Sequence, residues 1–191
     1  GVRARAAARR LAFMSARVRN AALHAIAEAL VARQDEIAEA NRRDLATARE
    51  MGLSEAMLGR LKLDAKDLRS LADDVRHIAA LPDPLGETEM QTLPSGLQVG
   101  KRRVPLGVIG VIYESRPNVT IDIAALCIKS GNAAILRGGK EALNSNRILA
   151  QVVADAATAA GLPEGTVQLI QSTDRALVRE MLEARDFIDL L

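Results

Sequence analysis

The chain has 191 residues, 49% of them hydrophobic and 26% charged, with a formal net charge of +2. That apolar content suffices for one sizeable core and excludes the class of chains kept disordered by low hydrophobicity and high net charge. A single cysteine, Cys127, excludes an internal disulfide and any multi-cysteine metal site, and His24 and His77 have no second ligand at helical spacing, so no metal is expected.

The first 80 residues read as helical. Ala-rich segments run through 6–32, 35–50 and 54–60. No Asp or Glu precedes Glu28, whereas Arg3, Arg5, Arg9, Arg10, Arg17 and Arg19 do. The stretch shares the acid-free, Arg-rich character of a transit peptide. Its apolar periodicity, however, continues into Leu23, Ile26 and Leu30, so we read the arginines as the solvated face of an amphipathic helix. Nucleic-acid binding would want stacking aromatics beside such charges, and aromatics are only 2% of the chain. No apolar run reaches membrane-spanning length and there is no secretory signal, which gives the expectation of a soluble, cytoplasmic protein.

Asp64 is placed to cap a helix whose Leu68, Leu71, Val75 and Ile78 fall on one stripe. "PDPLG" (82–86) then stops helix formation. Residues 89–104 read as two extended runs around Pro94-Ser95-Gly96, a hairpin projecting from the body with a basic second arm, Lys101-Arg102-Arg103. Beyond it, strands and helices alternate. Strands are expected at Gly107–Tyr113, Ala133–Arg137, Val167–Ile170 and, at the end of the chain, Phe187–Leu191. Helices are expected at Asn118–Ser130, Glu141–Ala160 and Asp174–Ala184, with Gly131 and Gly161 closing the first two. This is the α/β pattern of right-handed βαβ units on a parallel sheet.

In open α/β sheets, ligands bind beyond the carboxyl ends of the strands. That rule selects Glu114-Ser115-Arg116-Pro117-Asn118, then Arg137-Gly138-Gly139-Lys140, then Gln171-Ser172-Thr173. Arg116 has the planar fork for a carboxylate or phosphate, or else pairs with Glu114 on the surface. Asn118 either caps the following helix or points its amide at a developing oxyanion. Asp122, read as lying in that helix's first turn, complements its dipole. Gly138 and Gly139 permit close backbone approach to a ligand, and Arg137 and Lys140 suit the phosphate or ribose groups of a cofactor. The "RGGK" run is not a Walker A loop, since Ala134 stands where its first glycine belongs and Glu141 follows Lys140. Cys127, between Leu126 and Ile128, reads as a buried structural thiol.

"RVPLGVIGVIYESRPNVTIDIAALCIKSGNAAILRGGKEALNSN" (103–146) resembles the gamma-glutamyl phosphate reductase family, within the aldehyde dehydrogenase superfamily. "MGLSEAMLGRL" (51–61), "DDVRHIAALPDPLG" (73–86), "GLPEGTVQLI" (161–170) and "DRALVREML" (174–182) extend the likeness over nearly the whole chain. The resemblance implies an aldehyde dehydrogenase-like fold, of which this chain is the N-terminal part. Residues 1–88 would be the N-terminal helical segment of the cofactor domain and 89–104 a hairpin oligomerisation element. Residues 105–191 would be an incomplete Rossmann-like cofactor-binding portion, with the catalytic domain absent. It further implies NADPH-dependent reduction of L-glutamyl 5-phosphate to L-glutamate 5-semialdehyde in proline biosynthesis. The route passes through a thioester on a cysteine that this chain does not contain, so the chain alone is expected to be inactive. A homo-oligomer and a functional link to glutamate 5-kinase are implied as well. On the same footing, Glu114 and Arg116 are expected to bind substrate, Asn118 to serve the oxyanion, and Arg137, Gly138, Gly139, Lys140 and Ser172 to bind NADP(H). The alternatives are another acyl-reducing relative, such as a CoA-acylating aldehyde dehydrogenase, and a non-catalytic nucleotide-binding or scaffold fragment.

Overall fold

The computed structural model describes residues 1–86 and 90–191. Glu89, the first residue expected in the hairpin, and the expected boundary beside it lie outside the described residues.

Five helices come first: α1 (Val2–Leu11), α2 (Ala16–Ala32), α3 (Gln34–Glu50), α4 (Glu55–Leu61) and α5 (Ala65–Ala80). The run expected over 6–32 is therefore two helices. Ser15 turns extended and its hydroxyl accepts from Val18 N–H at 3.5 Å, starting α2 afresh. At α5 the expected cap is present as a reciprocal box. Asp64 accepts from Asp67 N–H at 3.0 Å, and Asp67 accepts from Asp64 N–H at 2.9 Å.

β1 (Met90–Thr92) and β2 (Gln98–Gly100) form an antiparallel hairpin in which every strand residue is exposed. The chain then alternates through β3 (Val108–Ile112), α6 (Asn118–Lys129), β4 (Ala133–Arg137), α7 (Leu143–Ala159), β5 (Val167–Leu169) and α8 (Ala176–Glu183). β3, β4 and β5 lie side by side, in that order and all parallel. Gly131 (φ 73°) and Gly161 (φ 95°) close α6 and α7 in the left-handed region, where glycine carries no Cβ penalty.

The expected final strand is reduced to one parallel bridge, Leu190 against Ile109. Ala184 carbonyl accepts from both Phe187 and Ile188 N–H, so a turn consumes the start of that segment, and only Asp189 and Leu190 reach β3. Asp122 is also displaced from its expected place. It is the fifth residue of α6 and lies beyond the first turn.

One face of the sheet carries α6 and α7, with α2 and α5 stacked outside them, in a core that includes Leu23, Ile26, Leu68, Ile128, Leu136 and Leu149. The other face is covered by Ala4 and Ala8 of α1 and Met181 of α8, packed on Val108, Ala133 and Ile135. Of the N-terminal arginines, Arg3, Arg9, Arg10 and Arg17 are solvated as expected. Arg19 is instead buried. It donates to the carbonyls of Met14 and Lys129 and pairs with Asp83 at 2.9 Å. Arg5 pairs with Asp189 at 2.5 Å. Lys129 Nζ reaches Ala79 carbonyl (2.8 Å) and Asn20 (2.9 Å), so one cationic cluster ties α2 to the ends of α5 and α6.

A second buried group fixes the start of α7, where no residue of the helix itself supplies a cap. Asp44 of α3 accepts from Asn144 N–H (3.1 Å), Asn144 Nδ2 (2.8 Å) and Ser145 N–H (2.7 Å). It thus satisfies orphan donors and faces the positive end of the helix dipole. Asp44→Ala is expected to cost roughly 3 kcal/mol, the sum of a lost cap and buried donors left unmet, read as a lower urea midpoint. A midpoint within error of wild type would contradict the capping role.

Cys127 is 7% exposed, and burial pushes its thiol up to about 11. The folded chain therefore holds this proton more tightly than the unfolded chain. The resulting stabilisation is complete below the unfolded value and is lost as pH rises through about 11. A disulfide-exchange reagent at pH 8 should label the native thiol ~100-fold more slowly than the urea-unfolded one. Equal rates would show that the thiol is open to solvent.

Candidate functional site

The register of β3 with β4 brings two of the polar stretches together. Ile112 lies opposite Arg137, and Tyr113 N–H donates to Arg137 carbonyl at 3.0 Å. The β3–α6 loop (113–117) and the β4–α7 loop (138–142) therefore leave the sheet side by side. β5 ends at Leu169, opposite Leu136, and delivers the third stretch, 171–173, beyond it. All the residues selected from the sequence thus sit along the carboxyl edge of one parallel sheet.

Their individual settings differ. Glu114 and Arg116 are both exposed, with Arg116 Nε 3.9 Å from Glu114 Oε2, the geometry of a loose surface pair. Asn118 is the first residue of α6. Its amide donates to Asp122 at 3.3 Å and does not accept from the backbone, so the capping alternative is not what the side chain does. Burial, with Asp74 nearby, raises the Asp122 carboxyl above its usual range.

Arg137 is half-buried at the end of the central strand. Its Nη2 donates to Asp174 carbonyl at 3.1 Å, which ties β4 to the β5–α8 loop, and its buried Nε has no partner among the described residues. Lys140 and Ser172 are exposed, and Ser172 Oγ accepts from Asp174 N–H at 3.2 Å. Arg147 of α7 holds the same loop at its other end, donating to Gln171 carbonyl at 2.9 Å.

The two glycines are filled by the protein itself. A Cβ at Gly138 would collide with the Asn146 amide and lie 3.0 Å from the Tyr113 ring. One at Gly139 would collide with Ser115. Their close approach is therefore first to the neighbouring loop, while their backbone still lines the rim. Ser115 Oγ donates to Glu141, and the Tyr113 hydroxyl meets Thr120 Oγ1 at 2.7 Å, which in turn donates to Asn146 Oδ1 at 3.0 Å. Burial pushes the Tyr113 phenol up to about 12, so it stays a neutral donor. Sequence reading missed Asn146, Thr120 and Glu141. The only available signal was that "GG" follows a strand and needs a partner, and that partner lies 26 residues from Thr120.

Arg137, Lys140 and the loop backbones are the groups here that could hold an anionic cofactor. Among the described residues no group of three or more His, Cys, Asp or Glu side chains is placed to hold a metal ion, and no helix is long and apolar enough to cross a membrane.

The family model described as "Aldehyde dehydrogenase family" matches residues 2–189. The chain is 56% identical over 192 residues to a gamma-glutamyl phosphate reductase of Moorella thermoacetica, covering 100% of this chain and 46% of that protein. It is 53% identical to that of Halothermothrix orenii, covering 97% and 44%. Among solved structures, gamma-glutamyl phosphate reductase of Thermotoga maritima superposes with a TM-score of 0.95 at 40% identity, over 98% of this chain and 45% of that one. An acetylating aldehyde dehydrogenase of Geobacillus thermoglucosidasius, 18% identical with a TM-score of 0.74 over 97% and 38% of the two chains, shares the fold. The chain spans about half the length of the curated relatives it matches. Its likeness is to the N-terminal part of these longer proteins, and the chain belongs to the aldehyde dehydrogenase family.

Proposed function

We propose that this chain forms the dinucleotide-binding part of a cytoplasmic gamma-glutamyl phosphate reductase, which reduces L-glutamyl 5-phosphate to L-glutamate 5-semialdehyde and releases phosphate. The observation that carries this reading is the 56% identity along the entire chain to a relative of that name. It is joined by the gathering of all three polar stretches at one sheet edge, where such folds take their ligands.

In this reading NADP(H), when bound, supplies the hydride. Arg137 and Lys140 would hold its phosphate groups, with the Gly138-Gly139 backbone and Ser172 along the same edge. Arg137 is half-buried, and its Nε has no partner among the described residues, which leaves the guanidinium with a donor to satisfy by an anion at this edge. Arg116 takes the carboxylate or phosphate of the substrate, with Glu114 setting the orientation of its fork. Asn118 offers its amide N–H to the oxyanion that develops at the reacting carbonyl. A cysteine outside this chain attacks that carbonyl. The acyl–phosphate bond breaks and phosphate leaves, and the hydride that bound NADPH would supply would then convert the thioester to aldehyde and free the thiolate.

The exposed hairpin β1–β2 is proposed to join copies of the protein by offering its strand edge to a partner. The substrate, an acyl phosphate, has to be supplied by a kinase acting on the glutamate side-chain carboxylate, such as glutamate 5-kinase, ahead of this step in proline biosynthesis.

In the complete protein, Arg137→Ala should weaken NADPH binding by roughly 10- to 100-fold, since a hydrogen bond between charged groups contributes about 1.5–3 kcal/mol, while KM for the acyl substrate changes little. Isothermal titration with NADPH, alongside substrate-dependent kinetics, separates the two. An unchanged dissociation constant would remove Arg137 from the cofactor site. Arg116→Ala should produce the opposite split, raising the substrate KM with cofactor affinity intact.

A further inference from the structure

The two loops at the carboxyl ends of β3 and β4 are joined by side chains that sequence motifs do not single out. The join has two halves, each closing on one glycine. At Gly139, Ser115 Oγ donates to Glu141, and a Cβ would collide with Ser115. At Gly138, the position of a side chain is taken by the amide nitrogen of Asn146, which is 1% exposed.

What fixes the Asn146 amide is a directed chain of hydrogen bonds. Thr120, fully buried, spends its one hydroxyl proton on Asn146 Oδ1 at 3.0 Å. The 2.7 Å contact with the Tyr113 hydroxyl must then have Tyr113 as donor. All the protons run one way, from Tyr113 to Thr120 to Asn146 Oδ1. The amide carbonyl is held toward Thr120, and its nitrogen is left facing Gly138. A rotated amide could bond to Thr120 only with the whole chain reversed, Asn146 donating to Thr120 and Thr120 to Tyr113.

We propose that Asn146 is a positioning residue for the dinucleotide site. Held by Tyr113 and Thr120, it stands in for a side chain at position 138 and locks the β4–α7 loop against the β3–α6 loop. Arg137, Gly138, Gly139 and Lys140 are thereby presented as one preformed surface. The proposal deepens the reading of this edge as a dinucleotide site and rests on it. Preorganisation of this kind acts on binding, because a loop already in place has less conformational freedom to lose when the ligand arrives. It makes no contact with the reacting carbonyl, so it should leave the chemical step alone.

The test uses the complete protein, with NADP+ as the titrated ligand and thermal melting run in parallel. Asn146→Asp keeps the shape and the acceptor for Thr120 but replaces the nitrogen facing Gly138 with a charged oxygen. It should weaken NADP+ binding roughly tenfold or more, with kcat at saturating cofactor within about twofold of wild type. Gly138→Ala, which displaces the same amide, should also weaken NADP+ binding. If Asn146→Asp does not fold, Thr120→Val carries the test. It should lower NADP+ affinity several-fold, and Thr120→Ser, which keeps the hydroxyl, should restore most of the loss. Wild-type NADP+ affinity in folded Asn146→Asp or Thr120→Val, whatever happens to the melting temperature, overturns the positioning role. Equal losses in Thr120→Val and Thr120→Ser would do so too. No NADP+ binding by the wild-type protein would instead overturn the dinucleotide reading of the edge itself.

Discussion

The pairing of β3 with β4 is the constraint on which the rest depends. Its last rung, Tyr113 N–H to Arg137 carbonyl, fixes where two chemically dense loops leave the sheet. A slip of one residue would turn every side chain of β3 to the opposite face. Val108 would leave the layer of α1, and the Tyr113 ring would no longer reach Gly138. The parallel arrangement also sends every strand's carboxyl end to the same edge. That is why residues as far apart in sequence as Glu114 and Ser172 share one rim.

The helical layer serves that edge from behind. α2 and α5 pack on α6 and α7, whose N-termini frame the rim. Three buried charged groups do much of this holding. Arg19 and Lys129 supply donors to helix-terminal carbonyls that α5 and α6 leave unmet, and Asp44 supplies the acceptors that α7 needs at its start. Each sits where backbone groups at a helix end would otherwise be buried without partners, a position where charge is well compensated. An apolar residue of equal size at any of the three would leave those groups unsatisfied.

Much of this was legible in the sequence, because the signals were local. The cap at Asp64, the stops at Gly131 and Gly161, the hairpin around Pro94-Ser95-Gly96 and the alternation of strand and helix after Gly107 all depend on residues within a few positions of one another. So does the rule that selected the three rim stretches. Part of what was not legible depended on distance. Arg19 looked like one more solvated arginine, because its partners Asp83 and Lys129 lie 64 and 110 residues away. Asn118 looked like a cap because it opens a helix, but Asp122, one turn on, claims its amide. The glycines of "RGGK" looked like room for a ligand, and the space beside them is taken by Ser115 and Asn146. The final strand was shortened by a turn at Ala184–Ile188 that apolar composition cannot reveal.

The most direct test of the central claim, that the carboxyl edge is the dinucleotide site, is hydrogen–deuterium exchange of the complete protein with and without NADPH. The account predicts slowed exchange in peptides covering 113–118, 137–142 and 171–176, with the β1–β2 hairpin and α3 unaffected. Protection confined to other segments, with those three peptides exchanging as in the ligand-free protein, would contradict it.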